Sequence, residues 1–261
     1  MKYETLKVTM EGESVRVALS RPEVKNAFND ELIAELTSAL RDLADKGSVR
    51  VLTLTGEGNV FSAGADLNWM KKTAGYSHEE NLADARRLAD LLETLYTFPG
   101  ATIAMVNCAA IGGGVGLVAA CDVAVASRAA VFSLSEVRLG LVPACIAPYV
   151  IRRVGEKNAR EFFLTGRRFD AAKALEIGLV NEVVETGELE ETCRRLREEF
   201  LLCGPEAVKS CKELIARAST ERIEDLKDYT ARLIADLRAS EEGREGIRAF
   251  FEKRKPSWHR E

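Results

Sequence analysis

Apolar and polar residues alternate along "SVRVALS" (14–20), the two-residue period of a strand, and Arg21-Pro22 ends the run because proline has no N–H for a ladder. The period then lengthens. In "NDELIAELTSALRDLADKG" (29–47), Leu32, Ile33, Leu36, Leu40 and Leu43 fall on one helical face. Asn29 is placed as N-cap, Asp30 and Glu31 suit the first turn, and Gly47 supplies the stop. "VRVLTLTG" (49–56) reads as a buried strand closed by Gly56. A second amphipathic helix is predicted near 79–97, with Leu82, Leu88, Leu91, Leu92 and Leu95 on its apolar side, before Pro99-Gly100. "ATIAMVN" (101–107), "DVAVAS" (122–127) and "VFSLS" (131–135) are short β-type runs. From about residue 155 strand signals nearly vanish. Helical periodicity covers 156–178, 187–217 and 220–253, broken at Gly178, Gly187 and Gly204-Pro205. The pattern predicts an α/β core over 1–200 and a helical C-terminal region over 201–261, without internal repeats or low-complexity segments.

Composition narrows the class. A chain of 261 residues, 46% hydrophobic and 30% charged, can bury a sizeable globular core. The net charge of −4 provides no general attraction for nucleic acid. No apolar run approaches the length of about eighteen residues that a membrane helix needs, and the N-terminus lacks a signal-peptide apolar region, so a cytoplasmic protein is expected. The six cysteines (108, 121, 145, 193, 203 and 211) form no C-x-x-C pair and are expected to be free, mostly buried thiols. His78 and His259 are the only histidines and lie far apart, which argues against a zinc site or a Ser-His-Asp triad.

One segment calls for chemistry. "AAIGGGVGLVAACD" (109–122) puts Gly112, Gly113, Gly114 and Gly116 at a turn into a short apolar helix. A dinucleotide fingerprint counted from Gly112 ends on Leu117, a Walker loop has no lysine here, and a nucleophile elbow has no serine. Two readings stay open: backbone N–H groups offered to a ligand at a helix start, or a tight turn packed against a neighbour. "GNVFSAGADLNWM" (58–70) is a second small-residue turn before a helix, nearly bare from Ala63 to Ala65. Two such turns, each giving one N–H to one carbonyl oxygen, would make an oxyanion hole.

Five blocks in order, "RPEVKNAF" (21–28), "FSAGAD" (61–66), "AAIGGGVGLVAACD" (109–122), "FSLSEVRLGLVP" (132–143) and "FFEKRKPSWHRE" (250–261), resemble the crotonase family, the enoyl-CoA hydratase/isomerase superfamily. "LSEVRLGLVPACIAPYVIRRVG" is most similar to the methylglutaconyl-CoA hydratase branch, which serves leucine and isoprenoid acid breakdown. The resemblance implies a spiral of ββα units with a helical C-terminal trimerisation region, assembled as a homotrimer or a dimer of trimers. It also implies an acyl-CoA thioester substrate, with no metal or redox cofactor. By position, Ala65 and Gly113 would provide the two oxyanion N–H groups. Ala63, Asp66 and Leu67 would border the adenine and pantetheine path with Val24 and Lys25, and Phe250 and Lys253 would reach the CoA of an adjacent subunit. Asp66 is equally suited to capping the following helix.

In the family's hydratases two glutamates handle protons. The second matches Glu136, expected to be catalytic and desolvated by Phe132, Leu134, Leu139 and Leu141, against the plainer reading of a surface glutamate paired with Arg138. The first matches Gly116, the main departure from the pattern. A single glutamate suffices for hydration if water and proton add on one face. It equally suffices to move a proton between Cα and Cγ, so double-bond isomerisation is the alternative. The missing side chain would enlarge the pocket for a branched or carboxylated acyl group, and "PACIAPYV" (143–150) predicts an unusual pocket shape. A catalytically silent acyl-CoA-binding protein and an RNA-binding module are the readings from other classes; the acidic balance opposes the second.

Overall fold

The computed structural model describes residues 3–259, so Arg260 and Glu261, the end of the fifth block, lie outside the described residues, as do Met1 and Lys2. Strands β1 (Leu6–Glu11) and β2 (Ser14–Leu19) form an antiparallel pair. The sheet continues in parallel through β3 (Val51–Gly56), β4 (Ala101–Val106), β6 (Val123–Ser127) and β9 (Glu182–Val184). Every residue of β3 and β4 is buried, as parallel strands covered on both faces must be. The two faces alternate residue by residue. Leu52, Leu54, Ala104 and Val106 pack with Leu32 and Leu36 of α1 (Asp30–Asp45) and Leu91 and Leu95 of α3 (His78–Tyr96). Val51, Ile103, Met105 and Val125 face the other way, onto Leu189 and Cys193 of α7 (Leu189–Leu201).

One unit recurs and positions everything functional. After β3 the chain makes a parallel bridge at Ser62 and then enters α2 (Leu67–Thr73). After β4 it adds β5 (Ala110–Ile111), which that bridge joins, and enters α4 (Gly113–Ala120). After β6 it adds β7 (Val131–Ser133), parallel to β5, and enters a 3₁₀ turn at Glu136–Leu139. Each turn of this spiral thus places one strand in the large sheet and one short strand in a second sheet. Neighbouring short strands then bring successive strand-to-helix junctions to one place.

The C-terminal half departs from its expected pattern. Helix α5 (Ala147–Thr165) is broken at Gly155 (φ 73°, ψ 162°). The helical stretch expected over 156–178 is interrupted by β8 (Phe169–Asp170) between α5 and α6 (Ala171–Glu176), and β9 follows it. These strands span two and three residues, too short for a two-residue period to build up, and their pairing with β7 and β6 creates them. Helices α8 (Pro205–Ala218), α9 (Ile223–Ala239) and α10 (Glu241–Glu252) follow α7. Leu82, expected on the buried side of α3, is exposed, because the first turns of that helix extend past the core. Only Cys121 and Cys193 are buried; Cys203 and Cys211 are exposed and all six thiols are free, correcting the expectation of mostly buried cysteines. Among the described residues no helix is long and apolar enough to cross a membrane.

Candidate active site

Three junctions meet at a cavity of about 620 Å³ lined by Ala63, Gly64, Ala65, Ile111, Gly112, Gly113, Ser135 and Glu136. The backbone of the first is fixed from both sides. Phe28 N–H donates to Gly64 O at 2.6 Å, Asp66 N–H donates to Phe28 O at 2.8 Å, and Ala63 N–H donates to Lys25 O at 2.9 Å. Asn26, fully buried at φ +54°, holds the partner loop by donating from Nδ2 to Glu57 O and Val60 O. Among the described residues the Ala65 N–H has no hydrogen-bond partner. The same holds for the Gly113 N–H, since the first amides of a helix have no carbonyl one turn back. Two residues with unengaged N–H groups, from adjacent junctions, therefore line one cavity, the pairing an oxyanion hole requires.

The glycines are steric requirements as well. Gly112 caps α4 at φ +52°, where L-residues are strained, and a Cβ there would stand 3.1 Å from Glu136 Oε1. A Cβ at Gly113 would stand 2.9 Å from the Phe28 ring, and one at Gly114 3.0 Å from Ser62 Cβ. Gly116 behaves differently from expectation. It is buried and does not line the cavity: a Cβ there would lie 2.9 Å from Ile146 Cβ and closer still to Ile146 Cγ2. Ile146 occupies the space, so the missing side chain does not enlarge the pocket.

Glu136 begins the 3₁₀ turn with Oε2 buried and without a hydrogen-bond partner. Burial pushes its pKa above the usual carboxyl value, opposed by a hydrogen bond from its own backbone. It has no ion pair with Arg138, whose Nε donates instead to Thr165 O. Phe132 and Leu134 are buried as expected; Leu139 and Leu141 line the cavity but keep more than half their surface exposed.

Asp66 is an N-cap. It accepts from Asn68 N–H at 2.7 Å and Trp69 N–H at 3.4 Å, and pairs with Arg21 Nη2 at 3.0 Å. Burial alone would raise its pKa, but these donors together hold it below the usual range. Asp66, exposed Leu67, Val24 and Lys25 do not line the cavity, so of the residues named for the adenine and pantetheine path Ala63 does so. Phe250 and Lys253 are likewise absent from it; they end α10, with Phe250 exposed.

Sequence reasoning missed Asp84, Cys145 and Trp69, which also line the cavity. Asp84 had a legible signal. It sits one and two turns before Leu88 and Leu92 on the apolar stripe of α3, where a charge does not belong, and it is the buried residue of that helix's first half. Burial, with the Asp84 charge adding to it, pushes the Cys145 thiol up.

The enoyl-CoA hydratase/isomerase family model matches residues 11–261. An enoyl-CoA hydratase from Shewanella pealeana is 40% identical over 98% of this chain and 97% of its own, with a TM-score of 0.95. AtuE from Pseudomonas aeruginosa is 36% identical over 98% and 100%, also at TM-score 0.95. An enoyl-CoA hydratase from Mycobacterium smegmatis is 32% identical over 98% and 99%, at TM-score 0.92. The likeness runs through the spiral and its converging junctions alike, and this chain belongs to the enoyl-CoA hydratase/isomerase family, with the crotonase fold.

Proposed function

We propose that this protein is an enoyl-CoA hydratase, a lyase that adds water across the α,β double bond of an enoyl-CoA thioester. The observation that carries the reading is Glu136, with its buried, unpartnered Oε2, lining the same cavity as Ala65 and Gly113. The two N–H groups hold the thioester oxygen and stabilise the enolate formed when water adds at Cβ. Glu136, whose pKa is raised by burial, gives the proton that Cα takes up. CoA enters as part of the substrate, and the reading requires no separate cofactor. Pro143, Ala144, Cys145 and Ile146 line the cavity, which supports an acyl group of branched or methylglutaconyl type.

Crotonyl-CoA and 3-methylglutaconyl-CoA, followed by loss of the enoyl thioester absorbance, test this directly: consumption of either supports hydration. The second reading is Δ3,Δ2-isomerisation with Glu136 as a single proton shuttle, favoured by the space Ile146 takes beside Gly116. Consumption of a 3-enoyl-CoA alone, with the conjugated 2-enoyl thioester as product, would put it first. The same family reading makes the working unit a homotrimer or a dimer of trimers. Its support is the apolar surface that the C-terminal helices leave exposed at Ile215, Ile223, Ile234, Phe250 and Phe251. Phe250 and Lys253 would then serve a neighbouring subunit's CoA.

A further inference from the structure

Water addition needs two proton movements, and Glu136 accounts for one. We propose that Asp84 is the second catalytic carboxylate, the base that takes the proton from the attacking water. This inference rests on the hydratase reading.

Elimination comes first. The position where a second carboxylate is expected, Gly116, has no room for a side chain because Ile146 fills it. Among the described residues lining the cavity, Glu136 and Asp84 are the carboxylates, and no lysine, arginine, histidine or tyrosine lines it. The remaining ionisable group, the Cys145 thiol, is held neutral by burial and by the Asp84 charge. Of the side chains able to take a proton from water, Asp84 remains once Glu136 is committed to Cα.

Placement agrees. Asp84, Leu88 and Leu92 follow one another at single-turn spacing on α3, and Leu92 Cδ2 lies 3.5 Å from where a Gly116 Cβ would be. Asp84 therefore continues the helix stripe that passes Gly116, about 12 Å along from Leu92, at the point where that stripe borders the cavity. It is 7% exposed, and Arg87 Nη2 pairs with its Oδ1 at 2.7 Å. A helical i,i+3 pair needs no burial, and burying a carboxylate is unfavourable. An acid this buried that neither caps a helix end nor sits on the solvent face needs a reason for its place, and the cavity it lines supplies one.

The water oxygen bonds to Cβ as the C=C π bond breaks; one water proton passes to Asp84, and the electron pair moves onto the thioester oxygen held by Ala65 and Gly113. Collapse of the enolate takes a proton from Glu136 to Cα. Asp84 then returns its proton through solvent, and Glu136 regains one.

The test separates the two proton movements. Wild type, Asp84→Asn and Glu136→Gln are assayed for hydration of whichever 2-enoyl-CoA the wild type consumes, and for exchange of the α-hydrogens of butyryl-CoA in deuterated water. Exchange needs the oxyanion hole and the Cα proton carrier, but no base for water. Asp84→Asn is expected to lower hydration kcat by about a hundredfold or more, with KM little changed, and to keep α-exchange within a few-fold of wild type. Retained exchange also shows that the variant folds. Glu136→Gln is expected to lose both. Hydration by Asp84→Asn at the wild-type rate, or loss of both reactions together, overturns the assignment while leaving the hydratase reading intact. A wild type that only isomerises overturns both.

Discussion

Glu136 is half-buried, with Oε2 fully buried and unpartnered, and a carboxyl in that position favours its neutral form. The consequence for stability has a definite sign. Between the unfolded value of about 4.3 and the raised folded value, the folded state binds more protons, so stability is complete at acid pH and declines as pH rises through that window. Glu136→Gln removes the penalty. The variant is expected to melt higher than wild type at neutral pH, with the difference closing toward pH 4, as calorimetry over a pH series would show. Hydration should decline on the alkaline side as the proton donor is lost, at a pH above that of an ordinary glutamate. Loss of turnover in Glu136→Gln accompanied by a lower melting temperature at neutral pH would contradict this account. Asp66 shows the opposite balance: its donors outweigh burial, so its contribution is present at neutral pH and lost as pH falls through its lowered pKa.

The elements show where packing overrides local preference. Helices α1 and α3 were readable from local signals, the Asn29 cap that accepts from Leu32 N–H and the leucine period of α3, whose start the structure closes with a reciprocal Ser77–Glu80 capping box. Strands β5 and β8, two residues each, have no such signature and exist through their partners. The strand-to-helix junction of α4 lies between these cases. Its glycines were conspicuous, yet what each one avoids is a distant residue: Phe28 at Gly113, Ser62 at Gly114 and Ile146 at Gly116. The last gives a quantitative expectation. Gly116→Ala overpacks against Ile146 and should cost about 1–3 kcal/mol. Ile146→Ala should cost about 2–5 kcal/mol through the cavity it leaves. The double variant should be less destabilised than the sum, because each change relieves the other. Urea unfolding of all three variants measures the coupling, and strict additivity would mean that the two positions do not compete for space.

At the level of the whole molecule, the spiral and the C-terminal helices contrast in how they bury apolar surface. The spiral core is closed on both faces of its main sheet. In α8 no residue is buried, and α9 and α10 bury Leu226 and Ala249 while leaving Ile223, Phe250 and Phe251 more than three-quarters exposed. Surface of that kind is covered in oligomers. If the proposed trimer or hexamer forms through this surface, Phe251→Asp lowers the sedimentation mass while the circular dichroism spectrum is kept. An unchanged mass would place the interface elsewhere.

Periodicity, capping residues and the order of five motifs were enough to establish from the chain alone an α/β core, its principal helices, Glu136 as an acid/base candidate and the family. Those features are local, so a linear text carries them. Asp84 drew no reading from the chain, Gly116 suggested added space, and Asp66 stood between a CoA contact and a helix cap. Folding decided each: it turned Asp84 inward beside the cavity, set Ile146 into the gap beside Gly116, and made Asp66 a cap paired with Arg21. The reason is distance along the chain. Asp84 belongs to one turn of the spiral and Glu136 and Ile146 to another, and their shared cavity exists only once the folded chain has brought those turns together.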